Sequence, residues 1–512
     1  MSDLRLAEIV AGLSLAADLG TGQPLEHTLR TCLRAVRVGR SLALPSDELR
    51  DVYYVSLLRF IGCTATSEDH VRTVGGDEIA FLAAMAPVFM GGMREMMTTF
   101  VSEVGRELPP LRRAAAVVRA LADTDGAERT LSADCEVASR FASRLGMGPS
   151  IDRALRHAFE RWDGRGIPGE LAGEEVPAAI RIVIVARDAE LWAEATDPET
   201  AGEVLRRRRG HAYDPQVVDA LLSDGPVAPV DPGADALWEL VLDAEPLPPI
   251  RIDDRALDAA LEAFADFTDL KSPYTRGHSR GVAQLAGDAG AICHLDPSTV
   301  TSLGRAALVH DLGRVGVPLS VWDRPGPLSR GDRERVRLHP YLTERVLAPC
   351  APLTRIASLA CAHHERLDGT GYHRGSGGNE QASAHRILAA ADAYQAMTQE
   401  RAYRPARSAG EAAAELRREA ADGRLEPRVV EAVLEAAGHV RRGVDVWPSG
   451  LTDREVEVLR LLSRGRTNRE VADQLVISPK TVGSHVEHIY TKIGVSSRAA
   501  AAVFAMEHHL LR

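Results

Sequence analysis

The sequence predicts an all-α protein, and three observations support that prediction. Apolar residues recur at helical spacing, as in Leu257, Leu261 and Phe264. Strand-like alternation bounded by turn residues is scarce, and the abundant alanine, leucine and arginine are all good helix formers. A chain of 512 residues is too long for one hydrophobic core and should form about three domains.

Composition and charge exclude several classes of protein. Hydrophobic residues make up 45% and charged residues 26%, as in ordinary globular proteins. No run approaches the roughly 20 apolar residues of a membrane span, so we expect a cytoplasmic protein without membrane association. The six cysteines form no C-x-x-C pair, which argues against a disulfide framework or a thiolate zinc site. A net charge of −11 still allows a small DNA-binding module.

An internal repeat organises the chain. The segment ERWDGRGIP at 160–168 matches ERLDGTGYH at 365–373, and the separation of His27 from Arg59 equals that of His278 from His310. Proline, glycine and acidic residues indicate two linkers. We expect copy one at residues 1–222, a linker at 223–250, copy two at 251–439, a linker at 440–449 and a C-terminal module at 450–512.

Copy two concentrates side chains that bind divalent metal ions. They are His278, His310, Asp311, His339, His363, His364 and Asp392. Imidazole and carboxylate without thiolate suit iron, manganese or zinc. Seven ligands exceed the needs of one ion and fit two ions roughly 3.5–4 Å apart, between which a bridging water becomes a nucleophile on phosphorus. One histidine alone is usually a core or surface residue, but the joint pattern is far less often a coincidence.

These motifs resemble the HD-GYP family. The match rests on His310-Asp311-Leu312-Gly313-Arg314, His339, His363-His364 followed by Asp368-Gly369-Thr370-Gly371-Tyr372, and Asp392, and it covers most of residues 255–438. The resemblance implies an all-α, metal-dependent phosphohydrolase of the kind best known for opening cyclic di-GMP. It also implies one metal ion on His278, His310, Asp311 and Asp392, and a second on Asp311, His339, His363 and His364.

Three positions depart from the family pattern. Arg314 stands at the usual lysine, and by resemblance it steadies the phosphate while Asp311 is the central catalytic carboxylate. His373 replaces the proline that ends the GYP signature, which places the shape of that loop in question. Tyr274 stands where members with three metals carry a glutamate. We therefore expect two divalent ions, iron or manganese.

Copy one has lost these ligands. Arg59 and Phe60 replace the His-Asp pair, Asp134 replaces His339, Ala158 and Phe159 replace the double histidine, and Arg187 replaces Asp392. Arginine and phenylalanine exclude a dication by charge and bulk, so we expect a metal-free regulatory, dimerising or ligand-sensing half. The run Gly75-Gly76-Asp77-Glu78 resembles the GGDEF signature of cyclases, but the sequence around it predicts helices and lacks the βαβ pattern of such a domain.

Residues 450–512 carry dense signals for helix ends. Thr452-x-x-Glu455 and Thr467-x-x-Glu470 are capping boxes, and Ser478-Pro479 starts a further helix. These signals predict a helix-turn-helix with helices at 467–475 and 479–492. We expect DNA contacts from Lys480, Thr481, Ser484, His485, His488 and Lys492. The module resembles the LuxR-type DNA-binding domain over its full length, which implies a last helix at about 496–509 that often dimerises; a protein-interaction module is the alternative.

The sequence therefore favours a bacterial signalling regulator with two HD-like helical domains in tandem, followed by a four-helix LuxR-type helix-turn-helix domain. A metal-dependent cyclic-dinucleotide phosphodiesterase would be coupled to transcription regulation. The expected partners are DNA, a cyclic dinucleotide or other phosphoester, and a second copy of the chain in a homodimer. Two alternatives remain: the HD pocket binds metal and nucleotide as a non-catalytic switch, or it hydrolyses an unrelated phosphoester while the C-terminal module only localises it.

Overall fold

The computed structural model describes residues 4–88, 92–123, 125–223, 225–438 and 447–511. In these ranges the protein is helical and has no β-strand, which confirms the predicted all-α fold class. The chain forms two compact units, Met1–Ala260 and Leu261–Arg512. None of the helices in the described ranges is long and apolar enough to cross a lipid bilayer.

The first unit is built from helices α1 to α14. They are α1 (Leu6–Thr21), α2 (His27–Ser41), α3 (Ser46–Leu58), α4 (Ile61–Ala65), α5 (Ser67–Val74), α6 (Glu78–Met85), α7 (Met93–Glu103), α8 (Pro110–Ala122), α9 (Gly126–Arg144), α10 (Pro149–Arg156), α11 (Ala178–Ala195), α12 (Pro198–Arg208), α13 (Pro215–Ser223) and α14 (Ala234–Ala244). Helices α2, α3 and α11 pack against one another at the centre of this unit.

The segment expected as a linker at 223–250 contains helix α14. Its apolar residues Leu237, Trp238 and Val241 are buried, and the helix packs against α2. Tyr53 donates its hydroxyl hydrogen to the Val241 carbonyl at 3.1 Å. Proline and acidic residues at both ends gave this stretch a linker-like composition, but its apolar face makes the middle of it part of the first unit's core.

Helices α5 to α8 lengthen copy one between the Arg59-Phe60 pair and Asp134. The GGDEF-like residues lie here and serve as helix ends. Gly75 ends α5 with φ at 73°, and the Asp77 carboxylate accepts a hydrogen bond from the Ala80 amide at 2.9 Å to begin α6. Their local role is therefore explained by helix capping.

The second unit contains copy two and the C-terminal module. Helix α15 (Asp254–Leu270) leads into it, followed by α16 (His278–Ile292), α17 (Pro297–Val309), α18 (Leu319–Trp322), α19 (Arg330–Arg337), α20 (His339–Leu347), α21 (Thr354–Ala360), α22 (Ser383–Thr398), α23 (Ala409–Ala421), α24 (Pro427–Ala436), α25 (Asp453–Ser463), α26 (Asn468–Leu475), α27 (Pro479–Ile493) and α28 (Arg498–Glu507). The predicted linker at 440–449 lies outside the described residues up to residue 446.

The two copies use the same close backbone approach beside the pocket. A Cβ on Gly313 would lie 2.1 Å from the His339 carbonyl oxygen, and a Cβ on Gly62 would lie 1.9 Å from the carbonyl oxygen of Asp134. Only glycine fits at either position, because a real Cβ does not approach backbone oxygen so closely. Asp134 aligns with His339, so the repeat seen in the sequence extends to how the helices pack.

We predict that Gly62→Ala lowers the free energy of unfolding by about 1–3 kcal/mol, because the new methyl group overlaps the Asp134 backbone. The matched control is Gly202→Ala in α12, whose Cβ would meet Arg206 only at 3.5 Å and should stabilise the helix by up to about 1 kcal/mol. Urea unfolding followed by circular dichroism measures both. Equal stability of the two variants would contradict this packing.

Candidate functional site

The structure brings all seven predicted metal ligands of copy two into one pocket. Most stand at helix ends that point inward: His278 begins α16, His339 begins α20, and His310 with Asp311 follows α17. The remaining ligands are His363 and His364, which lie just after α21, and Asp392 in the middle of α22. The ends of four helices and the middle of a fifth thus meet at one point.

The ligand atoms form two groups on either side of Asp311. One group is His278, His310 and Asp392, and the other is His339, His363 and His364; within each, the ligand atoms lie within 4.8 Å of one another. Asp311 Oδ1 is 3.3 Å from His339 Nε2, and its Oδ2 is 3.5 Å from His310 Nε2. The carboxylate therefore faces each group with a different oxygen.

Hydrogen bonds to the far side of each ring orient the histidines. The Nδ1 atoms of His310, His339 and His363 lie 2.7, 2.6 and 2.7 Å from backbone carbonyl oxygens three residues earlier. The Nδ1 of His278 lies 2.9 Å from the Gln399 side-chain oxygen. An acceptor at Nδ1 places the ring proton there, so the lone pair of Nε2 points into the pocket and can bind a metal.

The electrostatics of the pocket favour bound positive charge. Burial alone would raise the pKa of Asp311, but Arg314 and His310 outweigh it and hold the pKa well below its usual range. Burial lowers the pKa of His310, but Asp311 and Asp392 outweigh it and raise the value to about 9, so a cation that binds Nε2 has to displace a proton from it. Two buried carboxylates therefore stay ionised and draw cations to this place.

The donor set fits a pair of hard or borderline divalent ions. The buried Nε2 of His310 has no hydrogen-bond partner among the described residues. His339 Nε2 and His363 Nε2 face each other at 3.0 Å, although the other nitrogen of each ring already lies against a carbonyl. Two lone pairs at that distance repel unless a cation or proton lies between them. Imidazoles with two carboxylates suit iron, manganese or zinc.

Arg314, the predicted phosphate-steadying residue, lies at the edge of this pocket. Its Nη1 donates to Asp311 Oδ2 at 3.0 Å, and its guanidinium stacks 3.8 Å from the Trp322 ring centre. Trp322 also donates its indole hydrogen to the Arg314 carbonyl. No sequence motif indicated Trp322, because it is a lone tryptophan in α18.

Two further polar residues at the site were also missed. Gln399 orients His278, and Arg401 donates to Gln399 and to the Tyr274 carbonyl. Burial lowers the pKa of Arg401 to about 10, and the nearby positive charge of Arg314 adds to that effect. Arg401 lies in the segment ERAYRPAR at 400–407, which resembles the family, and Gln399 directly precedes it, but spacing alone did not indicate what they contact.

The loop that departs from the family signature is closed by a buried glutamate. Glu365 accepts hydrogen bonds from the backbone amides of Arg374, Gly375 and Ser376 at 2.8, 3.3 and 2.9 Å. His373, in place of the usual proline, lies with Nε2 3.3 Å from a Glu344 oxygen. In copy one Glu160 binds the amides of residues 169–171 in the same way. The loop thus has equivalent anchors in both copies.

The C-terminal module has the predicted helix-turn-helix. Its helices α26 and α27 begin at caps made by Thr467 and Ser478, and Val476 makes the turn with φ at 55°. Of the predicted DNA contacts, Lys480, Thr481, Ser484 and His488 are exposed on α27 and His485 is half-buried. Lys492 is exposed but paired with the Glu455 carboxylate at 2.7 Å, so its ammonium has a structural role in this arrangement.

The last helix, which the resemblance links to dimerisation, is buried within the chain. It runs from Arg498 to Glu507, and residues 499–506 are all buried within the chain. Alanines occupy most of these positions and pack closely against α25. The helix therefore contributes to the module's own core, and its apolar side chains are already covered.

Comparisons with known proteins agree with this fold. The family model of the HD domain matches residues 262–429, and the model of bacterial regulatory proteins of the luxR family matches residues 449–505. The chain is 30% identical over 408 residues to 3'3'-cGAMP-specific phosphodiesterase 3 of Vibrio cholerae, covering 78% of this chain and 88% of that protein.

Other relatives match one part of the chain. A cyclic di-GMP phosphodiesterase of Pseudomonas aeruginosa is 34% identical over 167 residues, which are 32% of this chain and 40% of that protein. The transcriptional regulatory protein LiaR of Bacillus subtilis is 40% identical over 89 residues, 17% of this chain and 41% of that protein. The crystal structure of a cyclic GMP-AMP-specific phosphodiesterase of Vibrio cholerae aligns with a TM-score of 0.59 and 25% identity, covering 86% of this chain and 99% of that one.

An all-α domain with a His-Asp pair and further histidines in one pocket defines the HD class of metal-dependent phosphohydrolases. The chain belongs to the HD-GYP family of phosphodiesterases and carries a LuxR-type DNA-binding domain at its C-terminal end. The predicted family and the predicted combination of the two domains in a signalling regulator are confirmed. The alternative of a DNA-binding regulator with a non-catalytic HD switch is not favoured.

We predict that the purified protein binds about two equivalents of manganese or iron and that Asp311→Ala loses both, because its carboxylate faces both groups of ligands. His294→Asn, which changes a histidine outside the pocket, is the control and should keep both ions. Elemental analysis after dialysis measures the content. Full metal content in a folded Asp311→Ala variant would contradict the shared role of this carboxylate.

Proposed function

We propose that copy two hydrolyses a phosphodiester bond of a cyclic dinucleotide, either 3'3'-cGAMP or cyclic di-GMP, with two divalent ions of iron or manganese. The observation that supports it most is the Asp311 carboxylate between two groups of three metal-binding side chains. The named activities of the relatives support this class of substrate.

Each of the two groups of ligands would hold one metal ion, and Asp311 would be shared by both ions. One ion would be held by His278, His310, Asp392 and Asp311, and the other by Asp311, His339, His363 and His364. When bound, such ions stabilise charge on phosphoryl oxygens and acidify a water molecule. Asp311 orients both groups with its two oxygens, and the backbone carbonyls at Nδ1 keep the ring protons away from the reacting side.

Arg314 and Arg401 would bind the phosphate. Trp322 holds the Arg314 guanidinium flat, and Asp311 holds one of its nitrogens, so the rest of its fork is available to a phosphoryl oxygen. Arg401 is buried close by, and each arginine disfavours the charge of the other. A bound anionic substrate would reduce the repulsion between the two arginines, so the positive charge of the pocket favours substrate binding.

We also propose that α27 contacts DNA through its exposed polar residues, Lys480, Thr481, Ser484 and His488, with His485 at the edge of that face. Small hydroxyls and cations at the start of such a helix suit phosphate and base-edge contacts in the major groove. A homodimer would present two such helices to two half-sites. Because residues 499–506 are buried within the chain, that dimer would use another surface or require α28 to open.

The module contacts copy two beside the metal pocket. Arg466 of the module forms an ion pair with Glu400 at 2.6 Å, and Gln399, the preceding residue, lies against His278. Arg276, two residues before His278, donates to the carbonyl oxygen of Ser463 at the end of α25. These contacts support a regulator in which the state of the metal pocket influences the DNA-binding module.

For hydrolysis, we predict that Asp311→Asn lowers kcat/KM at least about 1,000-fold and that Arg314→Ala lowers it about 10- to 100-fold. Arg314→Lys, which restores the residue usual in the family, should recover part of the loss. Arg417→Ala, an exposed arginine paired with Glu431, is the control. Chromatography of linear products from 3'3'-cGAMP and cyclic di-GMP measures the rates. Undiminished turnover by Asp311→Asn would refute the proposed mechanism.

For DNA binding, we predict that Lys480→Ala weakens binding to duplex DNA and reduces the slope of log affinity against log salt by about 1, because one phosphate contact is lost. Arg417→Ala removes the same charge from copy two and should leave the slope unchanged. Fluorescence anisotropy with a labelled duplex at several salt concentrations gives both values. An unchanged slope for Lys480→Ala would exclude this residue from the interface.

A further inference from the structure

Copy one contains a cavity of about 210 Å³ at the place that aligns with the metal pocket of copy two. Its wall includes the residues that replaced the metal ligands: Arg59, Phe60, Asp134, Phe159 and Arg187. The scaffold has therefore kept a pocket while exchanging imidazoles and carboxylates for guanidinium groups and phenyl rings. Such an exchange reverses the charge of the ligand that the pocket suits.

Arg59 is a buried cation in this cavity. It is 8% exposed, and its Nε donates to the Ala158 carbonyl at 3.0 Å. In the part of the chain that the structure describes, no carboxylate pairs with it. Burial lowers its pKa to about 10 and Arg187 adds to that effect, while the charge of Asp188 offsets only part of it. A buried unpaired charge is costly unless a counter-charge joins it.

Arg187 is a second cation in this cavity, and the carboxylate that pairs with it also pairs with another arginine. Its Nη1 donates to the Ala86 carbonyl and to Asp188, each at 2.7 Å, while its buried Nε has no hydrogen-bond partner among the described residues. Asp188 also pairs with Arg208 at 3.1 Å, so one carboxylate serves two arginines. The cavity therefore has an excess of positive charge and an unused donor.

The remaining wall suits an aromatic ring and an anion's oxygen. The Phe60 ring centre lies 5.0 Å from the Arg59 guanidinium, and the Phe159 ring centre lies 5.3 Å from it. Thr66 donates to one oxygen of Asp134, whose other oxygen is buried without a partner among the described residues. Burial raises the pKa of Asp134 to about 7, so this carboxyl is partly protonated near neutral pH and can donate a hydrogen bond.

We propose that copy one binds a small organic phosphate with an aromatic ring, of the size of a nucleoside 5'-monophosphate, with the phosphate between Arg59 and Arg187 and the ring against Phe159. Guanidinium forks match phosphate oxygens, and a buried pair of them gives a strong site. The cavity lies below the roughly 300–1,000 Å³ of sites that enclose a drug-sized ligand, so it would hold the phosphate and one ring with the rest of the nucleotide at its mouth, and it excludes a fully enclosed cyclic dinucleotide. The site is independent of hydrolysis in copy two.

The test uses the full chain, kept free of metal with a chelator, and calorimetric titration with GMP, AMP and inorganic phosphate. We expect a nucleotide to bind and both Arg59→Gln and Arg187→Gln to weaken it at least tenfold. Arg209→Gln removes an exposed arginine of the same copy that is paired with Asp219, and it should bind as the wild type does. Phe159→Leu should weaken nucleotide binding but leave inorganic phosphate binding unchanged.

No binding of any probe by the wild type up to about 5 mM, or equal binding by the arginine variants, overturns the proposal. If the arginine variants do not fold, photolabelling of the wild type with 8-azido-GMP decides the question. Crosslinks in the peptides that contain Arg59-Phe60 or Phe159 support the site. Crosslinks confined to copy two or to the C-terminal module refute it.

Discussion

The carboxylate of Asp311 is the constraint on which the active copy depends. It is buried and ionised, and its two oxygens face two separate sets of imidazoles. Buried charge is costly unless it is compensated, so the ends of helices α16, α17, α20 and α21 and the middle of α22 must meet at one point. The backbone carbonyls at Nδ1 of His310, His339 and His363 serve the same purpose. Because they hold the ring proton on Nδ1, the lone pair of Nε2 is left to bind a cation. From Asp392 and His278 the network continues through Gln399 to Glu400 and the DNA-binding module.

The two copies show how one helical scaffold can hold opposite charges. Gly62 and Gly313 allow the same close backbone approach, and Glu160 and Glu365 tie down equivalent loops. Between these common features, copy two has carboxylates and imidazoles, whereas copy one has Arg59 and Arg187. Exchange of a few side chains at equivalent positions thus changes the charge of the pocket between the two halves of a single chain, as the proposed cation site in copy two and the proposed anion site in copy one require.

Much of this could be predicted from the sequence, because metal ligands and capping boxes have fixed local patterns. The His-Asp pair, the double histidine and the caps at Thr452 and Thr467 are such signals. The roles of Trp322, Gln399 and Arg401 could not be predicted, since they arise only where distant helices meet. Helix α14 was predicted as part of a linker because prolines flank its apolar face. The ion pair of Lys492 was also missed, because its partner, the capping-box residue Glu455, lies 37 positions earlier in the chain. A contact between residues far apart in the sequence produces no periodic pattern from which it could be predicted.

The most direct test of the account is a crystal structure of the manganese- or iron-loaded protein with anomalous diffraction measured at the metal edge. We expect two peaks in copy two, one on each side of the Asp311 carboxylate, about 3.5–4 Å apart, and none in copy one. A single peak that leaves His339, His363 and His364 without metal, or a peak beside Arg59, would contradict it.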